Sequence, residues 1–150
     1  MRCILLNPGP VSLSDAVRRA AFNTDLGHHE PEFLDLLSRV RAALIAAYGL
    51  DGDEWVAVTM GGSGQTALEA SIASLLPRDG RLLAVANGSD GEQIGRIAGI
   101  HGMDRTDLTH DWMDAVDYRR AEEALAEGGY THVAALHHET TTGPLNDPAR

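Results

Sequence analysis

An α/β fold, three-layered with helices on both faces of a mostly parallel sheet, is what this sequence predicts. Three observations predict it. Short apolar, branched runs recur at residues 55–60, 81–86, 104–108 and 131–137. Helical stretches at residues 65–70, 92–101 and 118–126 lie between them, so strand and helix alternate as in a doubly wound domain. Glycine-rich or Asn-Gly turns separate the runs, as at Gly61-Gly62-Ser63-Gly64 and Asn87-Gly88-Ser89-Asp90-Gly91.

Taken in order, residues 4–10 (ILLNPGP) are a short apolar run stopped by Pro8-Gly9-Pro10, which stiffens an extended loop. Ser14 or Asp15 caps a first helix at 16–22, and residues 25–33 form a polar loop. The next helix carries Phe33, Leu36, Leu37, Val40, Leu44, Ile45 and Tyr48 at three- and four-residue spacing, which predicts core positions. Gly49 and Gly52 end it. Residues 55–60 read as a buried strand, Gly61–Gly64 as a turn, and Gln65 onward as a helix of good helix formers. After a turn at 76–80 the pattern repeats: a second buried strand, a helix in which Gly95 and Gly99 allow close packing, and a more exposed strand. A further helix ends at Gly128-Gly129, and strand 131–137 runs into His138-Glu139-Thr140-Thr141-Thr142-Gly143. The chain therefore closes on a strand and its loop with no covering helix, leaving one edge and face of a parallel sheet bare.

Composition narrows the function. At 150 residues the chain has the length of one domain, and 43% hydrophobic content with few aromatics suits a globular protein. A net charge of −10 argues against nucleic acid and anionic membrane surfaces as partners. No apolar run approaches the ~18 residues of a membrane span. The single Cys3 excludes an internal disulfide framework, suits a cytoplasmic location, and reads as a small buried residue of the first extended segment. All twelve basic residues are arginines. A genomic preference for arginine is one source of that bias. Its chemical consequence is that these residues cannot form a lysine Schiff base.

The strand–turn–helix at residues 55–70 is the strongest chemical feature. Glycines let backbone N–H groups approach an oxygen anion, and the helix dipole favours negative charge there. A phosphate group is the expected guest; an ordinary βα turn is the competing reading. Gly62-Ser63-Gly64-Gln65-Thr66-Ala67 formally meets a dinucleotide fingerprint, but no acidic residue ends the following strand, and the lysine of a phosphate-binding P-loop is absent. His28-His29 and His137-His138 are adjacent pairs. In extended chain such neighbours point apart, and neither pair has metal-ligand spacing, so no metal is predicted. Residues 139–143 follow a buried parallel strand, so their hydroxyls stand where ligands bind in open α/β sheets; a threonine-rich turn is the alternative. Glu122 and Glu123 read as a solvated helix face.

Together, Asn7-Pro8-Gly9-Pro10, residues 25–33, Gly61-Gly62-Ser63-Gly64, residues 87–91 and residues 138–143 resemble the class V branch of the fold-type I pyridoxal-phosphate aminotransferases. The phosphonate- and glyoxylate-linked transaminases are the nearest members, and the likeness runs from about Leu5 to Asp147. The resemblance implies an incomplete large domain: residues 1–54 as N-terminal arm and helices, 55–150 as parallel βα units. It implies pyridoxal 5'-phosphate as cofactor, with Ser63, Gly64 and Gln65 holding its phosphate. Thr140 would reach the pyridine ring's oxygen, with Glu139 and Thr141 shaping that turn. Pro8, Gly9 and Pro10 would lie near the substrate's acidic end. Where the family usually stacks an aromatic residue on the ring, this chain has Asp90.

The family's chain continues to an aspartate that pairs with the pyridine nitrogen, the Schiff-base lysine, an arginine for the substrate carboxylate and a small C-terminal domain. None of these is here, so the chain alone is not expected to transaminate. The resemblance implies a second polypeptide carrying those groups, in a hetero-oligomer with a dimeric core. The reaction would move an amino group from 2-aminoethylphosphonate, or a similar primary amine, to pyruvate or another keto acid. A truncated fragment and a non-catalytic relative that binds or regulates are the alternatives. A chain that opens at Met1 and closes in a loop is expected to be a genuine short gene product.

Overall fold

The structure, a computed structural model, describes residues 4–22 and 24–147. The Cys3 reading lies outside them. The chain falls into two compact units, one running to Gly61 and the other beginning at Gly62.

The first unit holds two helices. Helix α1 (Asp15–Ala21) is capped by Ser14, whose Oγ accepts from the Val17 amide at 3.3 Å, which decides between the two predicted caps. Helix α2 (Pro31–Ala47) starts with proline in its first turn, where no amide donor is needed, and frays at Tyr48–Gly49. The predicted core face of α2 is not a core here. None of its residues is buried, and Leu36, Val40 and Leu44 remain 40–43% exposed. Two helices and coil supply no second apolar layer of their own for that stripe to enter. Residues 55–60 likewise form no strand, against expectation: Val56 and Val58 are 78% and 76% exposed, and no partner strand within the described residues hydrogen-bonds to them. A branched apolar run has the propensity for a strand, but a strand exists only as part of a ladder. His28 and His29 do not point apart. They sit in a turn with ring centroids 4.0 Å apart.

The second unit is the α/β part. Helix α3 (Gly64–Leu75) leads to strand β1 (Arg81–Ala86), helix α4 (Ser89–Ile100), strand β2 (Asp104–Thr109), helix α5 (Tyr118–Glu127) and strand β3 (His132–Ala135). The sheet is parallel with order β2-β1-β3, so the most apolar strand is central and both others are edges. Alternate β1 side chains enter two cores. Leu82 and Ala84 pack with Ile72, Leu76, Ile94, Ile97 and Ala98 from α3 and α4. Leu83 and Val85 meet Val116, Tyr118 and Ala124 on the opposite face. That is the predicted three-layer arrangement. Strand β3 is shorter than expected, and its outward Val133 is 52% exposed.

Helix α4 begins three residues earlier than local sequence suggests, at Ser89 rather than Glu92. Its N-cap, Gly88, offers no side chain. The cap comes instead from Glu139, whose carboxylate accepts from the Gly91 amide at 2.9 Å. Behind β1, Asn87 and Asn146 are both buried and exchange two amide hydrogen bonds of 3.0 Å each; Asn146 also donates to the Leu136 carbonyl at 2.8 Å. These pairings fasten the loop after β3 to the carboxyl end of β1.

Candidate functional site

The starts of α3 and α4 and the loop after β3 border an open cavity of about 500 Å³, lined by Ser63, Gly64, Gln65, Asp90, His138 and Thr140 among others. It is assembled from within the second unit. Five of the six cofactor residues predicted from sequence border it, brought together from three separated stretches.

Helix α3 presents its N-terminus to this cavity without a side-chain cap. Ser63 occupies the N-cap position, and its Oγ reaches only the Thr66 hydroxyl at 3.5 Å. Gly62 has φ +155°, and a side chain there would collide with Thr66, so the turn before the helix requires glycine. At Gly64 an added Cβ would meet open space, which leaves the first-turn backbone accessible from the cavity. An uncapped helix N-terminus behind glycines is a site for a phosphate-sized anion.

Across the cavity stand Asp90, in the first turn of α4, and Thr140. The Thr140 hydroxyl donates to Asp90 Oδ2 at 2.6 Å. A hydroxyl has one proton to give, so Thr140 keeps only lone pairs for a ligand and can accept from a ring hydroxyl. Asp90 thus acts as the acceptor that orients the Thr140 hydroxyl.

Thr141 does not border the cavity. Its hydroxyl donates to Glu139 Oε1 at 2.5 Å, and its Oγ lies 3.4 Å from the Ser89 amide. Glu139 is fully buried. Burial opposes its ionisation, but hydrogen bonds from the Thr141 hydroxyl and from the amides of Gly91, Thr141 and Asp90 outweigh that and hold its pKa below the ordinary value. Pro8, Gly9 and Pro10 belong to the first unit, where the Gly9–Pro10 peptide is cis. Sequence reasoning missed Gln93 and His138 as lining residues. Gln93 is one turn beyond Asp90 on α4, and that relation emerges only once the helix is known to begin at Ser89. His138 looked like a loop residue beside a strand end.

No protein-family model matches the chain. Among curated proteins it is 42% identical over 145 residues to a 2-aminoethylphosphonate–pyruvate transaminase of Burkholderia lata, an alignment covering 95% of this chain and 38% of that protein. It is 37% identical over 144 residues to the bifunctional phosphonoacetaldehyde hydrolase/aminoethylphosphonate transaminase of Clostridioides difficile, covering 95% of this chain and 22% of the relative. Its structure superposes on pyridoxamine–pyruvate aminotransferase from Mesorhizobium loti with a TM-score of 0.84 at 27% identity, covering 96% of this chain and 36% of the other. The chain is thus similar to the N-terminal part of 2-aminoethylphosphonate–pyruvate transaminases, and its structural neighbours are pyridoxal-phosphate aminotransferases. It spans well under half the length of these relatives.

Proposed function

We propose that this chain supplies the phosphate cradle and one side of the ring pocket of a pyridoxal-phosphate aminotransferase. The remainder of the active site, including the catalytic lysine, lies on a second polypeptide. The observation that carries this reading is the uncapped start of α3 opening into a cavity whose far wall is the Asp90–Thr140 pair. When bound, the cofactor supplies the electron sink for amino transfer. Ser63, Gly64 and Gln65 hold its phosphate through backbone amides, and Thr140, oriented by Asp90, accepts from the ring's hydroxyl. The family resemblance alone assigns Pro8, Gly9 and Pro10 to the acidic end of the substrate. The completed enzyme moves an amino group from 2-aminoethylphosphonate or a similar primary amine to pyruvate or another keto acid. This chain contains no lysine, so the proton shuttle must come from outside it.

Native mass spectrometry of the untagged protein from its own cells, after borohydride reduction, tests the arrangement. A co-purifying chain carrying a phosphopyridoxyl adduct of ~230 Da is expected. A lone oligomer with no second chain ends the split-enzyme reading.

Asp90 favours a second reading, a non-catalytic relative that binds or regulates, because a carboxylate cannot stack on a pyridine ring. Ser63→Pro in the completed complex separates the two. Ser63 has φ −79°, which proline tolerates, while the added ring crowds the phosphate cradle. Turnover lost with the complex intact supports the enzyme; unchanged turnover removes Ser63 from cofactor binding.

A further inference from the structure

We propose that Glu139 is the positioning residue of this pocket. By holding the first turn of α4 it fixes the Asp90–Thr140 wall against which the ring end of the ligand lies. Glu139 does not border the cavity, and it touches the wall from behind. Its Oε2 accepts from the Gly91 amide at 2.9 Å, and its Oε1 accepts from the Asp90 amide at 3.5 Å. The same Oε1 takes the Thr141 amide at 3.1 Å and the Thr141 hydroxyl at 2.5 Å. Asp90 and Thr140 are each next in sequence to a residue of this cluster, and their side chains close on each other at 2.6 Å. One buried carboxylate therefore sets the spacing between two loops that meet only in the fold.

Gly88 shows independently that the place is built for this side chain. Its backbone is extended, so no backbone strain requires glycine, yet a methyl group there would fall inside Glu139. Gly88→Ala therefore displaces the carboxylate while leaving Glu139 in the sequence.

The inference rests on reading the cavity as a phosphate-ester pocket, and the two can fail separately. The test uses the full chain and two probes, inorganic phosphate and pyridoxamine 5'-phosphate, which has no aldehyde to react with the N-terminal amine. Binding is measured by calorimetry, with amide shifts of Gly64 and Gln65 as the phosphate reporter. Wild type is expected to bind both. Glu139→Ala and Gly88→Ala are expected to weaken pyridoxamine 5'-phosphate about tenfold, the loss of a well-placed polar contact, with phosphate affinity unchanged. Glu139→Gln, which keeps one acceptor, recovers part of the loss. Should Glu139→Ala fail to fold, Gly88→Ala and Glu139→Gln decide the question. Folded variants that bind both probes like wild type, or that lose both equally, overturn the positioning role alone. A wild-type chain that binds neither overturns the pocket reading and this inference with it.

Discussion

Asn87 looks in sequence like one more polar residue of an Asn-Gly turn, yet it is one of the most constrained side chains in the fold. Its amide donates to Asn146 Oδ1 at 3.0 Å and to the Asp114 carbonyl at 3.1 Å, and its oxygen accepts from Asn146. Asn87→Ala removes these bonds and leaves the buried Asn146 Oδ1 and one of its two N–H groups without a partner, so it should cost about 2–3 kcal/mol in urea unfolding. The double variant with Asn146→Ala should cost well under the sum of the two single losses, because the same interaction is being deleted twice. Strict additivity would show that the pair is not coupled. Glu139 gives a second prediction. Its folded pKa lies below its unfolded value of about 4.5, so its charge stabilises the fold fully above that value. The contribution disappears as pH falls through the lower folded pKa. The stability gap between wild type and Glu139→Gln should therefore be widest near neutrality and close in acid; a gap independent of pH refutes the linkage. Asn87 was not legible in this role, and Glu139 only as shaping its own turn and not as the cap of α4, because the partners lie 59 and 48 positions away.

Elements were legible where a segment's own pattern decides its state. Strand β1 has the predicted bounds because its own residues from Leu82 to Ala86 are apolar and buried and it is covered on both faces. The strand expected at residues 55–60 shows the limit: propensity and pattern were present, and the hydrogen-bonding partner was not. Helix α4 fails in the opposite sense, gaining a turn from a cap supplied by a distant carboxylate. Its glycines make a prediction about packing. A Cβ at Gly91 would stand 2.9 Å from Ala86 Cα and 3.0 Å from Ala86 Cβ, backbone and stub atoms that cannot swing aside. At Gly99 the obstacle is the end of the Arg105 guanidinium, a flexible group. Alanine gains at most about 1 kcal/mol of helix propensity over glycine, whereas forced overpacking costs about 1–3 kcal/mol. Gly91→Ala should therefore destabilise, and Gly99→Ala should be close to neutral in thermal unfolding. The reverse order would mean that α4 slides easily over β1.

Apolar surface is left open in both units: the unburied stripe of α2, the exposed run at residues 55–60, and the open edge of β3. Each is apolar and each is short of one neighbouring layer or strand, as expected of a portion covering 38% of its relative from Burkholderia lata. The most direct consequence concerns residues 55–60. Alone, their amides have no ladder and should exchange with solvent nearly as fast as unfolded peptide, while β1, paired on both sides, is strongly protected. When the portion proposed to complete this chain is added, as a second chain or as a fused extension, the same amides should slow by about a hundredfold or more as a strand forms. Hydrogen exchange read by mass spectrometry, with and without that portion, resolves the segment. Protection already present in the isolated chain would show that 55–60 pairs without a partner. Continued rapid exchange in an active complex would show that this run is not a strand of the completed sheet, and would leave its alternating valines without a structural role.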